Sequence, residues 1–192
     1  YTFPVGATAR QQLGTVLPYL VSEYGPEIFT IAADYNFGHL SADWVDILAA
    51  ENDAEVIGRE FAPLSQTSFD SLVEKIEAAD PDIIMSMLVG DNHAEFFRAK
   101  AERGLSIPVG TSTAMAQAFE HERYAPPAFA DVHVGVNYME EIMTRKNTAF
   151  VERFYERFPN AEYINQEAQN NYISIHLYAK AVEAAGTTDQ AA

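Results

Sequence analysis

Residues 81–97 read Pro-Asp-Ile-Ile-Met-Ser-Met-Leu-Val-Gly-Asp-Asn-His-Ala-Glu-Phe-Phe, and their reading decides the fold. The run from Ile83 to Val89 has the length of a strand and stops at Gly90. An apolar run that does not alternate suits a strand buried on both faces, as in a parallel sheet covered by helices. A polar pair, Asp91 and Asn92, follows, and a helix-forming segment then runs to Arg103, with Gly104 as its stop. The Gly90-Asp91-Asn92 turn therefore lies at the carboxyl end of a strand. Ligands bind along that edge in open α/β sheets, so the turn is expected to form one wall of a small-molecule cleft.

Toward the amino terminus, Thr67-Ser-Phe-Asp70 matches a capping box and predicts a helix with Phe69, Leu72, Val73 and Ile76 on one side. Residues 54–61 read as a strand ended by Pro63. Ile28 to Ala33 is a second buried strand, running into the polar turn Asp34-Tyr-Asn-Phe-Gly38. A helix carrying Trp44, Val45, Leu48 and Ala49 follows it. Leu13, Val16, Leu17, Leu20, Val21 and Tyr24 form one helical stripe, with Pro18 inside it and Gly25-Pro26 as its stop. Tyr1 to Val5 reads as a short entering strand.

Toward the carboxyl terminus, residues 107–110 form a short strand that leads into Thr111-Ser-Thr113, and a weak helix is expected from Ala114 to His121. Residues 131–138 alternate in the manner of a half-exposed strand. Two helices finish the chain, one striped by Phe150, Val151, Phe154 and Phe158, the other by Ala168, Tyr172, Ile175, Ala179 and Val182. Strands and helices alternating through short connections predict an α/β fold, a doubly wound parallel sheet with two trailing helices. The expected division is a ligand-binding lobe at residues 1–138 and a helical segment at 139–192. No strand is left for those two helices to cover. Their stripes are expected to pack on the far face of the sheet, a partner chain or a lobe outside this sequence.

The net charge is −16, which repels phosphate backbones and anionic bilayers, so neither nucleic acid nor a membrane surface is an expected partner. No apolar run reaches the roughly 20 residues that span a bilayer, and direct membrane insertion is not expected. With no cysteine, thiolate chemistry is excluded and the redox compartment stays open. The chain opens without Met or a charged leader, and it is expected to be part of a longer protein.

Three polar turns, 34–38, 90–93 and 111–113, end three strands and fall along one sheet edge. They offer the aromatic wall of Tyr35 and Phe37, the Asp91 carboxylate, the Asn92 amide and the hydroxyls of Ser112 and Thr113. Such a set suits a small polar molecule. The same residue types also cap helices, and that reading stands beside the first for Asp91, Ser112 and Thr113. No P-loop, dinucleotide fingerprint or nucleophile elbow is present, so neither a cofactor nor an enzyme activity is expected. Asp91 and His93 make one pair with metal-ligand chemistry. A solvated helix start explains that pair as well, and no metal is expected.

Taken together, Asp34-Tyr-Asn-Phe-Gly38, the run Phe61-Ala-Pro-Leu-Ser-Gln-Thr-Ser-Phe69 and residues 81–91 resemble the type I periplasmic binding proteins that serve ABC transporters. The branch most similar is that of the urea and short-chain amide binders, with branched-chain amino-acid binders more distant. Asn137-Tyr138 and the last two helices carry the same resemblance. It implies two α/β lobes closing on a solute, with this chain supplying the second lobe and part of the first. It further implies a small polar solute (an amide, urea or amino acid), a membrane permease as partner, and a periplasmic or extracellular location. By resemblance Tyr35 contacts the ligand and Asp91 lies where the second lobe presents polar groups. Ser112 and Thr113 stand where amino-acid binders present an acid. The ligand-binding set is thus Tyr35, Phe37, Asp91, Asn92, Ser112, Thr113 and Tyr138. The alternative on the same fold is the ligand-sensing domain of an amide-responsive transcriptional regulator.

Overall fold

The computed structural model describes residues 3–113 and 126–189. Five parallel strands form one sheet: β1 (Glu27–Ala33), β2 (Glu55–Ala62), β3 (Ile83–Met87), β4 (Val109–Thr111) and β5 (Val132–Val134). Their spatial order is β2-β1-β3-β4-β5, and every neighbouring pair is parallel. The helices are α1 (Ala9–Tyr24), α2 (Asn36–Glu51), α3 (Asp70–Ala79), α4 (Asp91–Glu102), α5 (Arg145–Arg157) and α6 (Gln166–Ala185). The doubly wound α/β fold is as the sequence predicts. The expected helix at 114–121 lies outside the described residues.

Alternation along β1 and β3 sorts the core into two layers, because successive side chains leave opposite faces of a strand. Ile28, Ala32, Ile83, Met85 and Met87 pack under α1 and α2, against Leu13, Leu17, Leu20, Val45 and Leu48. Phe29, Ile31, Ile84 and Leu88 pack under α3 and α4, against Phe69, Leu72, Val73, Ile76, Phe96 and Phe97. Every side chain of β3 is buried, as its unalternating apolar run requires. Pro18 sits within a continuous α1, which a Thr8–Gln11 capping box starts.

Three local expectations are corrected. The capping box at Thr67 does not form. Instead α3 starts at Asp70 with Phe69 at its cap, and burial of the Phe69 ring outweighs the side-chain cap. The alternating run 131–138 yields only the three-residue β5. At Gly135 a Cβ would stand 2.4 Å from the Gln12 carbonyl oxygen, so the backbone passes against α1 and leaves the sheet. Residues 3–5 form no strand.

By its internal contacts the chain forms two compact units, residues 8–136 and residues 1–7 with 137–192. The opening residues group with the helical unit. That unit is held by buried polar contacts. The Tyr138 hydroxyl donates to Asn147 Oδ1 at 2.8 Å, and Asn147 Nδ2 donates to the carbonyls of Glu140 and Ile142. Glu140 Oε2 accepts from the Tyr155 hydroxyl and the Ile164 amide. On α6, Ile175, Leu177 and Tyr178 stand exposed.

One close approach sets how α2 leaves β1. A Cβ on Gly38 would lie 1.9 Å from the Ala33 carbonyl oxygen, a main-chain atom that cannot swing aside. Gly38→Ala is expected to cost about 1–3 kcal/mol, read as a lower urea midpoint at unchanged slope.

Candidate functional site

From the carboxyl end of β1 the chain turns into α2, on one face of the sheet. From β3, its neighbour in the sheet, the chain turns into α4, on the other face. The strand order reverses between these two strands, which marks this sheet edge as the place where open α/β sheets carry a ligand crevice. Tyr35 flanks it from the β1 side and Gly90-Asp91 from the β3 side.

On the β1 side, the Asp34 amide donates to the Ala62 carbonyl at 2.8 Å, tying the ends of β1 and β2 together. Tyr35 caps α2 in an extended conformation, its side chain 40 % exposed and its ring 5.9 Å from that of Phe37. Phe37 is half-buried and packs on the layer beneath α1 and α2, so part of its surface is used by the core. Asp34 pairs with His39 Nε2 at 2.9 Å, and the His39 ring stacks on Phe61 at 4.1 Å.

On the β3 side, Gly90 takes φ +58°, a conformation that glycine adopts without a Cβ penalty. A Cβ there would meet nothing within 4 Å, so the backbone conformation, not space, calls for glycine. Asp91 opens α4 and is exposed. Tyr35 and Gly90 give their helices no side-chain cap. The first-turn amides and positive dipole ends of α2 and α4 therefore stay open to a polar solute.

The remaining predicted residues have other placements. Asn92 is buried, and its Nδ2 donates to the carbonyls of Pro63 (3.3 Å) and Gln66 (2.9 Å), pinning the loop between β2 and α3. Ser112 and Thr113 follow β4, one strand further from the reversal, and both are buried. The Thr113 amide donates to Thr111 Oγ1 and the two threonine hydroxyls lie 2.9 Å apart, while the Ser112 carbonyl accepts from Gln12 Nε2. Tyr138 belongs to the other unit, where its hydroxyl is bound by Asn147. Tyr35 and Asp91 are thus the two predicted residues that flank the crevice and remain exposed.

Sequence reasoning missed two features. Asp34 and His39 come together because the α2 start turns back over β1, and no periodic pattern marks that. His93 is not at a solvated helix start but fully buried. Loss of water pushes its imidazole down to about 4. The spacing His93, Phe96, Phe97, Lys100 was the available signal, since i, i+3, i+4, i+7 is a core stripe. All four are buried. No group of three or more His, Asp or Glu fit to hold a metal exists among the described residues.

Comparison with family models matches residues 1–192 to the family described as periplasmic binding protein. The chain belongs to the periplasmic binding protein family. Solved structures share its fold at low identity. A leucine-, isoleucine-, valine-, threonine- and alanine-binding protein from Brucella ovis, in a closed conformation, superposes with a TM-score of 0.84 at 19% identity, over 95% of this chain and 47% of that one. An ABC-transporter solute-binding protein from Rhodopseudomonas palustris, in complex with p-hydroxybenzoic acid, gives 0.82 at 17% identity, over 96% and 51%. An ABC-transporter substrate-binding protein from Sphaerobacter thermophilus gives 0.81 at 21%, over 92% and 48%. This periplasmic binding protein chain spans about half the length of these three proteins. No helix among its described residues is long and apolar enough to cross a membrane.

Replacing Asn92 removes the only side-chain tie recorded between α4 and the loop at Pro63–Gln66 among the described residues. Asn92→Ala removes the Asn92 donor from the Gln66 carbonyl and leaves the Pro63 carbonyl with the Gln66 amide alone. It is expected to cost about 1–3 kcal/mol and to speed amide exchange in residues 63–68.

Proposed function

We propose that the chain forms one wall of a solute-binding cleft in the binding protein of an ABC transporter. The reversal of strand order between β1 and β3, with exposed Tyr35 following one strand and exposed Asp91 the other, is the observation that carries this reading. An aromatic face, a carboxylate and two uncapped helix starts suit a solute that is small and polar, in the class of amides, urea and amino acids. Relatives of the same fold support the size and polarity. One is a leucine-, isoleucine-, valine-, threonine- and alanine-binding protein, and another is a solute-binding protein in complex with p-hydroxybenzoic acid.

The role is binding rather than catalysis. The Asp34–His39 pair is the arrangement nearest to an oriented base. Yet His39 places its Nε2 on Asp34 and its ring on Phe61, and no Ser, Thr or Tyr hydroxyl hydrogen-bonds to it among the described residues. Family membership supports a periplasmic site of action and delivery of the solute to a membrane permease.

Isothermal calorimetry on the full natural protein, against amides, urea, amino acids and small carboxylates, tests the reading. One class is expected to bind. For that solute Tyr35→Ala and Asp91→Ala are each expected to weaken affinity about tenfold or more, with the fold intact because both side chains are exposed. Tyr24→Ala, remote on α1, serves as the control and should leave binding unchanged. Binding that is indifferent to both cleft substitutions would remove these residues from the site.

A further inference from the structure

The first turn of α4 carries three neighbouring residues in three different settings. Asp91 faces solvent beside the crevice, Asn92 ties the turn to the Pro63–Gln66 loop, and His93 is fully buried. Neither His93 ring nitrogen has a hydrogen-bond partner among the described residues. Its neighbours are aromatic: the ring of Phe97 is 4.7 Å away and that of Phe129 is 6.1 Å away. A neutral imidazole tolerates this seat. An imidazolium there would be a buried charge without a counter-ion.

The charged groups on the surrounding elements are engaged elsewhere. On α4 itself, Asp91 is exposed to solvent, Glu95 and Glu102 pair with Arg98, and Arg103, just past the helix, takes Glu74 and Glu77 of α3. Lys75 of α3 pairs with Glu60 of β2, and Asp70 accepts from Ser68. Lys100, two turns along α4, has Asp131 as the charge that acts on it. β3 and β4 bear no charged side chain, and their nearby polar groups are Ser86 and Thr111. Burial is what lowers the His93 imidazole, and no neighbouring charge among the described residues adds to it.

We propose that this turn is an acid-operated latch on the solute edge. When His93 takes a proton from water, the turn leaves its apolar seat, the Asn92 tie breaks, and Gly90 and Asp91 withdraw from the crevice. Gly90 supplies the hinge, since it holds a positive φ and has open space around it. The opening is a property of the chain itself. Its consequence, solute release in acid, rests on the solute-binding reading above.

The direction follows from linkage. Seated His93 binds its proton less tightly than an exposed imidazole, whose ordinary value is 6.5. The closed turn is therefore fully favoured above that value and loses ground as pH falls toward 4. The opening constant rises by up to about tenfold for each pH unit in this window, most steeply near its middle.

Amide exchange in residues 90–95 of the full natural protein, without solute and corrected for the intrinsic pH dependence of exchange, tests the latch. The turn should be about 20-fold more open at pH 5 than at pH 7, and His93→Phe should abolish that difference. An equal pH response in His93→Phe overturns the proposal. Should that variant fail to fold, the imidazole resonances of the wild-type protein decide. Titration of His93 well below 6.5, in step with the exchange change, supports the latch. Titration near 6.5 with residues 90–95 unaltered overturns it. Solute affinity at the two pH values separates the layers. Opening together with weaker binding at pH 5 supports both readings. Opening with no solute bound at either pH keeps the latch and removes the solute-binding reading. Opening with unchanged affinity overturns the coupling between latch and site.

Discussion

The parallel pairing of β1 with β3, from Ile28 opposite Ile83 to Ala32 opposite Met87, is the contact on which the crevice depends. These two strands come together although β2 lies between them in sequence, and β2 pairs on the outer side of β1. β1 then feeds α2 on one face and β3 feeds α4 on the other. Burial on both faces holds the pair in register. A slip by one residue would exchange the two side-chain layers and put Phe29 and Ile31 where Ile28 and Ala32 now pack. The location of Tyr35 and Asp91 is thus a consequence of core packing, not of anything local to either turn.

Polar groups near this edge show how unevenly a dry interior treats them. Asn92 is satisfied by two carbonyls and becomes a structural tie. His93, one residue on, has no partner for either nitrogen among the described residues and stays neutral. A helix turns about 100° per residue, so neighbours in one turn meet different surroundings, and the chemistry of each is set by what that direction contains. The helical unit shows the other outcome, with Asn147 and Glu140 meeting hydrogen-bond partners from several segments of that unit.

Most elements were legible because their signals are periodic or abrupt. The unbroken apolar run of β3, the stripes of α1 and α2, and the Gly25-Pro26 stop each report a local energetic requirement. The misread places are those where a distant contact overrode a local preference. The Phe69 ring displaced the Thr67 cap, and the approach of residue 135 to α1 ended the alternating strand early. The candidate site was legible as an edge and only partly as a set of residues. Strand-end turns identify the edge. Which side chains stay free there depends on what has already claimed the others.

The sequence by itself determined that this chain makes a parallel α/β sheet whose carboxyl edge carries polar turns. Hydrophobic periodicity and turn chemistry are local properties that survive in any context. The chain's net charge of −16 disfavours phosphate backbones, and without cysteine it offers no thiolate. Only the tertiary structure decided that β1 and β3 are neighbours, that Tyr35 and Asp91 flank one crevice, and that His93 is sealed among aromatic rings. Those outcomes are pairings between segments tens of residues apart. Their free energy comes from packing complementarity that no single stretch of the chain contains.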